Sequence, residues 1–150
     1  MRALTLFGQS LVVAAVLAAG MPAVAQEMRK VAPEQLDHDW ILINNRQQGL
    51  SVDVPNSGVN IDKPGCVAVA YEIGEDGKPM NLKVAKMNPP SDLGKAAISA
   101  VSQFRYGPSL TNKSENPVAT YYIVPFNGPD DKAQQAALMA PCKLPGYGQG

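Results

Sequence analysis

Between Gly65 and Ile73 the chain sorts its side chains by parity. Val67, Val69, Tyr71 and Ile73 fall on one side of an extended backbone, and Cys66, Ala68 and Ala70 on the other. Both sets stay apolar until Glu72, which predicts a strand covered on both faces for most of its length. Gly74-Glu75-Asp76-Gly77 follows, and its Asp-Gly pair marks a tight hairpin. Met80 to Met87 reads as the return strand, with Leu82 and Val84 alternating with Asn81, Lys83 and Lys86.

Asn88-Pro89-Pro90 ends that strand, and Ser91 or Asp92 is expected to cap a helix. Leu93, Ala96, Ala97, Ala100, Val101 and Phe104 recur at helical spacing, and the alanines let the helix sit close to a sheet. Gly107-Pro108 is the expected stop, and Arg105 just past the stripe is placed to complement the negative helix end, the alternative being contact with a partner. Val118 to Phe126 reads as a third strand. Pro125 has no N–H, so the strand lies at an edge or bends there. A short helix is expected at Asp131 to Met139, then Pro141-Cys142 and a loose Gly-rich terminus. The order strand, turn, strand, helix, strand predicts an α+β fold with one helix packed on a small antiparallel sheet. Its domain runs 65–128, with a tail at 129–150.

Upstream, Trp40-Ile41-Leu42-Ile43 fits a short strand, and Val52 and Val54 alternate as a short edge strand would. Asn44 to Pro64 is rich in turn residues. Residues 26–64 read as a partly irregular extension leading into the domain. Residues 1–25 have the three parts of a secretory signal peptide. These are Arg2, the apolar run Leu11 to Ala19, and Ala23-Val24-Ala25 after the breakers Gly20 and Pro22. Cleavage after Ala25 predicts an exported chain with no stable membrane span; a retained leader predicts an inner-membrane anchor.

Export bears on the cysteines. Cys66 and Cys142 are the only two, so an oxidising compartment permits one internal bridge, and otherwise two unpaired thiols. The 13 basic and 13 acidic residues balance, which excludes a generally basic nucleic-acid binder. One His and two Cys fall short of a self-contained zinc site, and no residue set calls for a metal or cofactor. Glu72, Glu75 and Asp76 belong to a splayed hairpin turn, and His38 lies in a polar turn far from either thiol. No constellation supports an enzyme, and no catalytic residue is expected.

Three segments in this order carry a resemblance. Gly65 to Ile73, Asp76-Gly77-Lys78-Pro79 and Leu82-Lys83-Val84 resemble the opening of the TonB C-terminal domain, with its Gly-x-Val-x-Val strand and acidic-Gly turn. Ala96 to Pro108, ending Phe104-Arg105-Tyr106-Gly107-Pro108, resembles that family's helix and its exit. Pro117-Val118 to Phe126 resembles its last strand. The resemblance implies a periplasmic binding module of the energy-transducer family in Gram-negative transport. Its last strand would pair with the TonB-box peptide of a TonB-dependent outer-membrane receptor. By resemblance, Ala119, Thr120, Tyr121, Tyr122, Ile123 and Val124 flank that peptide. The alternative is that the tyrosines pack within a core or a homodimer interface, in a secreted structural or regulatory protein reusing the fold. The chain departs from the family in lacking a long Pro-rich, charge-rich spacer and a Tyr-Pro pair before Gly65, so it resembles a stand-alone version of the domain.

Overall fold

The computed structural model describes residues 27–44 and 52–148. The signal peptide expected at 1–25 lies outside them. The central element is β2 (Gly65–Ile73), flanked by β3 (Pro79–Asn88) and β5 (Val118–Phe126) in an antiparallel sheet of order β3-β2-β5. Helix α1 (Gly94–Ser102) crosses one face. A two-stranded ribbon pairs β1 (Trp40–Leu42) with β4 (Tyr106–Pro108), and α2 (Lys132–Met139) follows β5. The fold is the expected α+β arrangement. Among the described residues no helix is long and apolar enough to cross a membrane.

The parity of β2 builds two cores. Its large side chains, Val67, Val69, Tyr71 and Ile73, pack with Ala97, Val101 and Phe104 on the α1 side. Its small ones, Cys66, Ala68 and Ala70, leave space on the other face, where the C-terminal tail lies. Cys66 and Cys142 are joined by a disulfide there, both residues buried. Tyr147 packs on Tyr121, ring centroids 4.8 Å apart, so the tail is engaged up to that point rather than loose. Segment 26–64 also reaches the core: Val31, Leu36 and Trp40 are buried in the α1-side cluster.

Local chemistry explains where expectations fail. Neither Ser91 nor Asp92 caps α1 as an N-cap residue; Leu93 holds that position without a side-chain cap. The Asp92 carboxylate instead accepts from the Val59 N–H at 2.7 Å, tying the upstream loop to the helix start. No strand forms at Val52–Val54, because Pro55 removes the next donor and Val54 N–H turns back to Val52 C=O. The helix stops at Ser102 rather than at Gly107, and Arg105 donates to the Ser102 carbonyl at 3.0 Å, answering the helix end as expected. Tyr106–Pro108, expected as the helix exit, forms β4 instead.

Candidate peptide-docking edge

The sheet has two outer edges, and they differ. Along β3 the pairing with β2 slips twice, between Ala68 and Val69 and between Ala70 and Glu72, and the strand carries Lys83 and Lys86. Bulges and lysines blunt an edge against further strands. β5 pairs with β2 without a slip from Gly65↔Phe126 to Ile73↔Val118. It is the regular edge.

Alternation decides which main-chain groups of β5 face outward. Ala119 N–H donates to Arg29 C=O at 2.9 Å, and Val31 N–H donates to Ala119 C=O at 2.8 Å, so Ala119 faces away from β2. In an antiparallel pair the outward residues recur every second position, which adds Tyr121, Ile123 and Pro125. Pro125 therefore stands where its missing N–H costs no bond to β2, and the strand is at an edge, one of the two readings left open by the sequence.

The first outward rung is occupied by the chain itself. Arg29 to Val31 runs parallel to β5, with a bridge at Lys30↔Ala119, and Gly148 of the tail bridges Val31 on its far side. The arm is further held by an ion pair from Arg29 to Asp39. Its ladder stops at Ala119, because the chain turns into the short helical turn Pro33–His38 and Pro33, the next residue in phase, has no N–H to offer Tyr121 C=O. Among the described residues, the outward N–H and C=O of Tyr121 and Ile123 and the C=O of Pro125 have no main-chain partner.

The six residues named from the sequence divide by face. Thr120, Tyr122 and Val124 point toward α1; Tyr122 and Val124 pack on the core there, and Tyr122 meets Phe104 edge-on at 5.0 Å. Tyr121 and Ile123 point under the tail, with Ala119 on that same parity. The side chains thus pack as the core alternative described, while the open chemistry of the strand is its main chain. Burial and the neighbouring Tyr121 push the Tyr147 hydroxyl above the usual tyrosine range.

Beside the open rungs lies a groove of about 240 Å³ between β5, β1 and the short helical turn Pro33–His38. Leu36, Trp40, Ile41, Leu42, Tyr121 and Tyr122 line it. The volume is below the ~300 Å³ where small-molecule pockets begin, and the mouth is open. Asp37 is the only lining side chain charged at neutral pH. Sequence patterning alone does not reveal this wall. Its one signal is Pro33 following Val31, a donor gap at the end of an apolar step. Among the described residues no group of three or more potential metal ligands forms.

The family model described as Gram-negative bacterial TonB protein C-terminal matches residues 55–127. No curated protein and no solved structure matches the chain. The match begins ten residues before Gly65, in the loop that Asp92 and Asn60 fasten to the helix start through Val59 N–H and Pro90 C=O.

Proposed function

We propose, for a chain whose residues 55–127 belong to the TonB C-terminal-domain family, that the β5 edge grips an extended receptor segment by strand addition. The observation that carries this reading is the row of outward main-chain groups at Tyr121, Ile123 and Pro125, beside an edge that is otherwise regular. An extended peptide is the ligand whose own N–H and C=O groups match such a row. The partner is a TonB-box-like peptide of an outer-membrane receptor, and the module works in the periplasm of a Gram-negative cell. Residues 29–31, 36 and 40 are bound into the fold, so segment 27–44 is not a free tether.

Binding of TonB-box peptides to the protein, followed by fluorescence anisotropy, tests this. The Ile123→Pro variant removes one outward donor and leaves every bond to β2. Each hydrogen bond contributes about 0.5–1.5 kcal/mol, so the variant weakens binding up to roughly tenfold while the protein stays folded. An absence of peptide binding, with stable dimers in solution, would replace this reading with the structural or regulatory one.

A further inference from the structure

Consecutive residues of a strand send their side chains to opposite faces. A groove that touches Trp40, Ile41 and Leu42, and also Tyr121 and Tyr122, therefore runs along an edge of each strand rather than across a face. The register of β1 agrees. Ile43 N–H donates to Arg105 C=O and Ser109 N–H donates to Asp39 C=O, so Asp39, Ile41 and Ile43 face β4. The main-chain groups of Trp40 and Leu42 consequently face away from β4. Among the described residues they have no main-chain partner. Unpaired main-chain groups of both strands border the same groove, at Trp40 and Leu42 of β1 and at Tyr121 of β5, with Ile123 the next outward position along β5.

We propose that the guest peptide lies between them and is bonded on both sides, to Tyr121 and Ile123 of β5 and to Trp40 and Leu42 of β1. The bound guest joins the three-stranded sheet and the two-stranded ribbon into one sheet. This rests on the strand-addition reading of β5 and narrows its ligand. The guest is short, because Arg29–Val31 closes the rung at Ala119 and Pro125 offers no donor at the far end. Its alternating side chains are apolar, facing Leu36 and the tyrosines of the groove. It carries a basic residue near an end, because the groove's single charge is the exposed Asp37 carboxylate, which has no ion-pair partner among the described residues.

The test is amide hydrogen exchange by NMR on the full protein, with two synthetic peptides. One is Lys-Thr-Val-Thr-Val-Thr-Lys, and the other has Glu at both ends. The expected result is slowed exchange at Tyr121 and Ile123 together with Trp40 and Leu42 on addition of the Lys peptide. Protection confined to Tyr121 and Ile123 overturns the two-sided site and leaves strand addition standing. Protection at neither pair, with either peptide at saturating concentration, removes strand addition itself. The Lys peptide binds roughly threefold tighter than the Glu peptide at low salt, and Asp37→Lys reverses the order. An order unchanged by that variant overturns the assignment of Asp37.

Discussion

The phenol oxygens of Tyr71 and Tyr106 lie 2.5 Å apart inside the α1-side core, one hydroxyl donating to the other. Burial pushes Tyr71 well above the tyrosine range, and the adjacent Tyr106 raises it further. Burial likewise pushes Tyr106 up to about 12, although its bond to Tyr71 opposes the rise. Both groups are held neutral in the fold. A raised folded value means the stabilisation is complete below the ordinary value of 10.0 and is lost as pH climbs through about 12. For Tyr106 the loss is on the order of 3 kcal/mol. Absorbance at ultraviolet wavelengths where phenolate absorbs, and circular dichroism, should show these two phenols ionising together with unfolding in an alkaline titration. Tyr71→Phe should make the alkaline fall in stability shallower.

Thr120 is fully buried against the α1 side, and its Oγ1 has no hydrogen-bond partner among the described residues. An unsatisfied buried hydroxyl costs about 1–3 kcal/mol, whereas a methyl of similar volume costs nothing to desolvate. Thr120→Val should therefore raise stability by about 1 kcal/mol in urea unfolding. Because Thr120 faces β2 with its main chain, the same variant should leave peptide affinity unchanged.

The disulfide spans 76 residues of sequence. In the chain-entropy account a loop of that size stabilises by about 4 kcal/mol, a large share of the stability of a small domain. The Cys66→Ala, Cys142→Ala double variant should lose roughly this amount. Limited proteolysis should then cut first within Lys132–Met139, since α2 buries no residue of its own.

Gly77 sits at φ +73, and a Cβ there would come within 2.0 Å of the Tyr106 carbonyl oxygen. The approach is used: Tyr106 N–H donates to Gly77 C=O at 2.9 Å, docking the hairpin tip on β4. Gly146 has a similar φ of +83, but a Cβ added there would meet nothing within 4 Å. Gly146→Ala should cost only the left-handed strain, about 1 kcal/mol. Gly77→Ala should cost well beyond that, because turn and ribbon must separate. Thermal unfolding of the two variants side by side checks the difference.

Much of the sheet is legible because β2 advertises itself twice, in the size alternation of Gly65–Ile73 and in the Asp-Gly turn behind it. β5 is legible to the residue, and Pro125 already limits it to an edge or a bend. The ribbon is half legible: Trp40–Leu42 reads as a strand, but its partner Tyr106–Pro108 hides behind Gly107 and Pro108, which signal an ending. Those residues form a strand because Tyr106 reaches Gly77 on one side and β1 on the other, contacts far away in sequence. Asp92 misleads for a related reason, since a side chain suited to a cap finds a closer donor in Val59. The docking groove is not legible. It depends on where Arg29–Val31 lies alongside β5, and no local pattern encodes that placement.

The placement of three prolines has a consequence for how copies of this chain meet one another. Pro33 ends the arm, Pro108 stands at an outward position of β4, and Pro125 closes the far end of β5. At each of these three points the next donor is absent, and the opposite flank of the sheet is crooked by its slips in register. Edges interrupted in this way give a like copy no long seam to zip along, so even when crowded the protein should resist seeding fibrils.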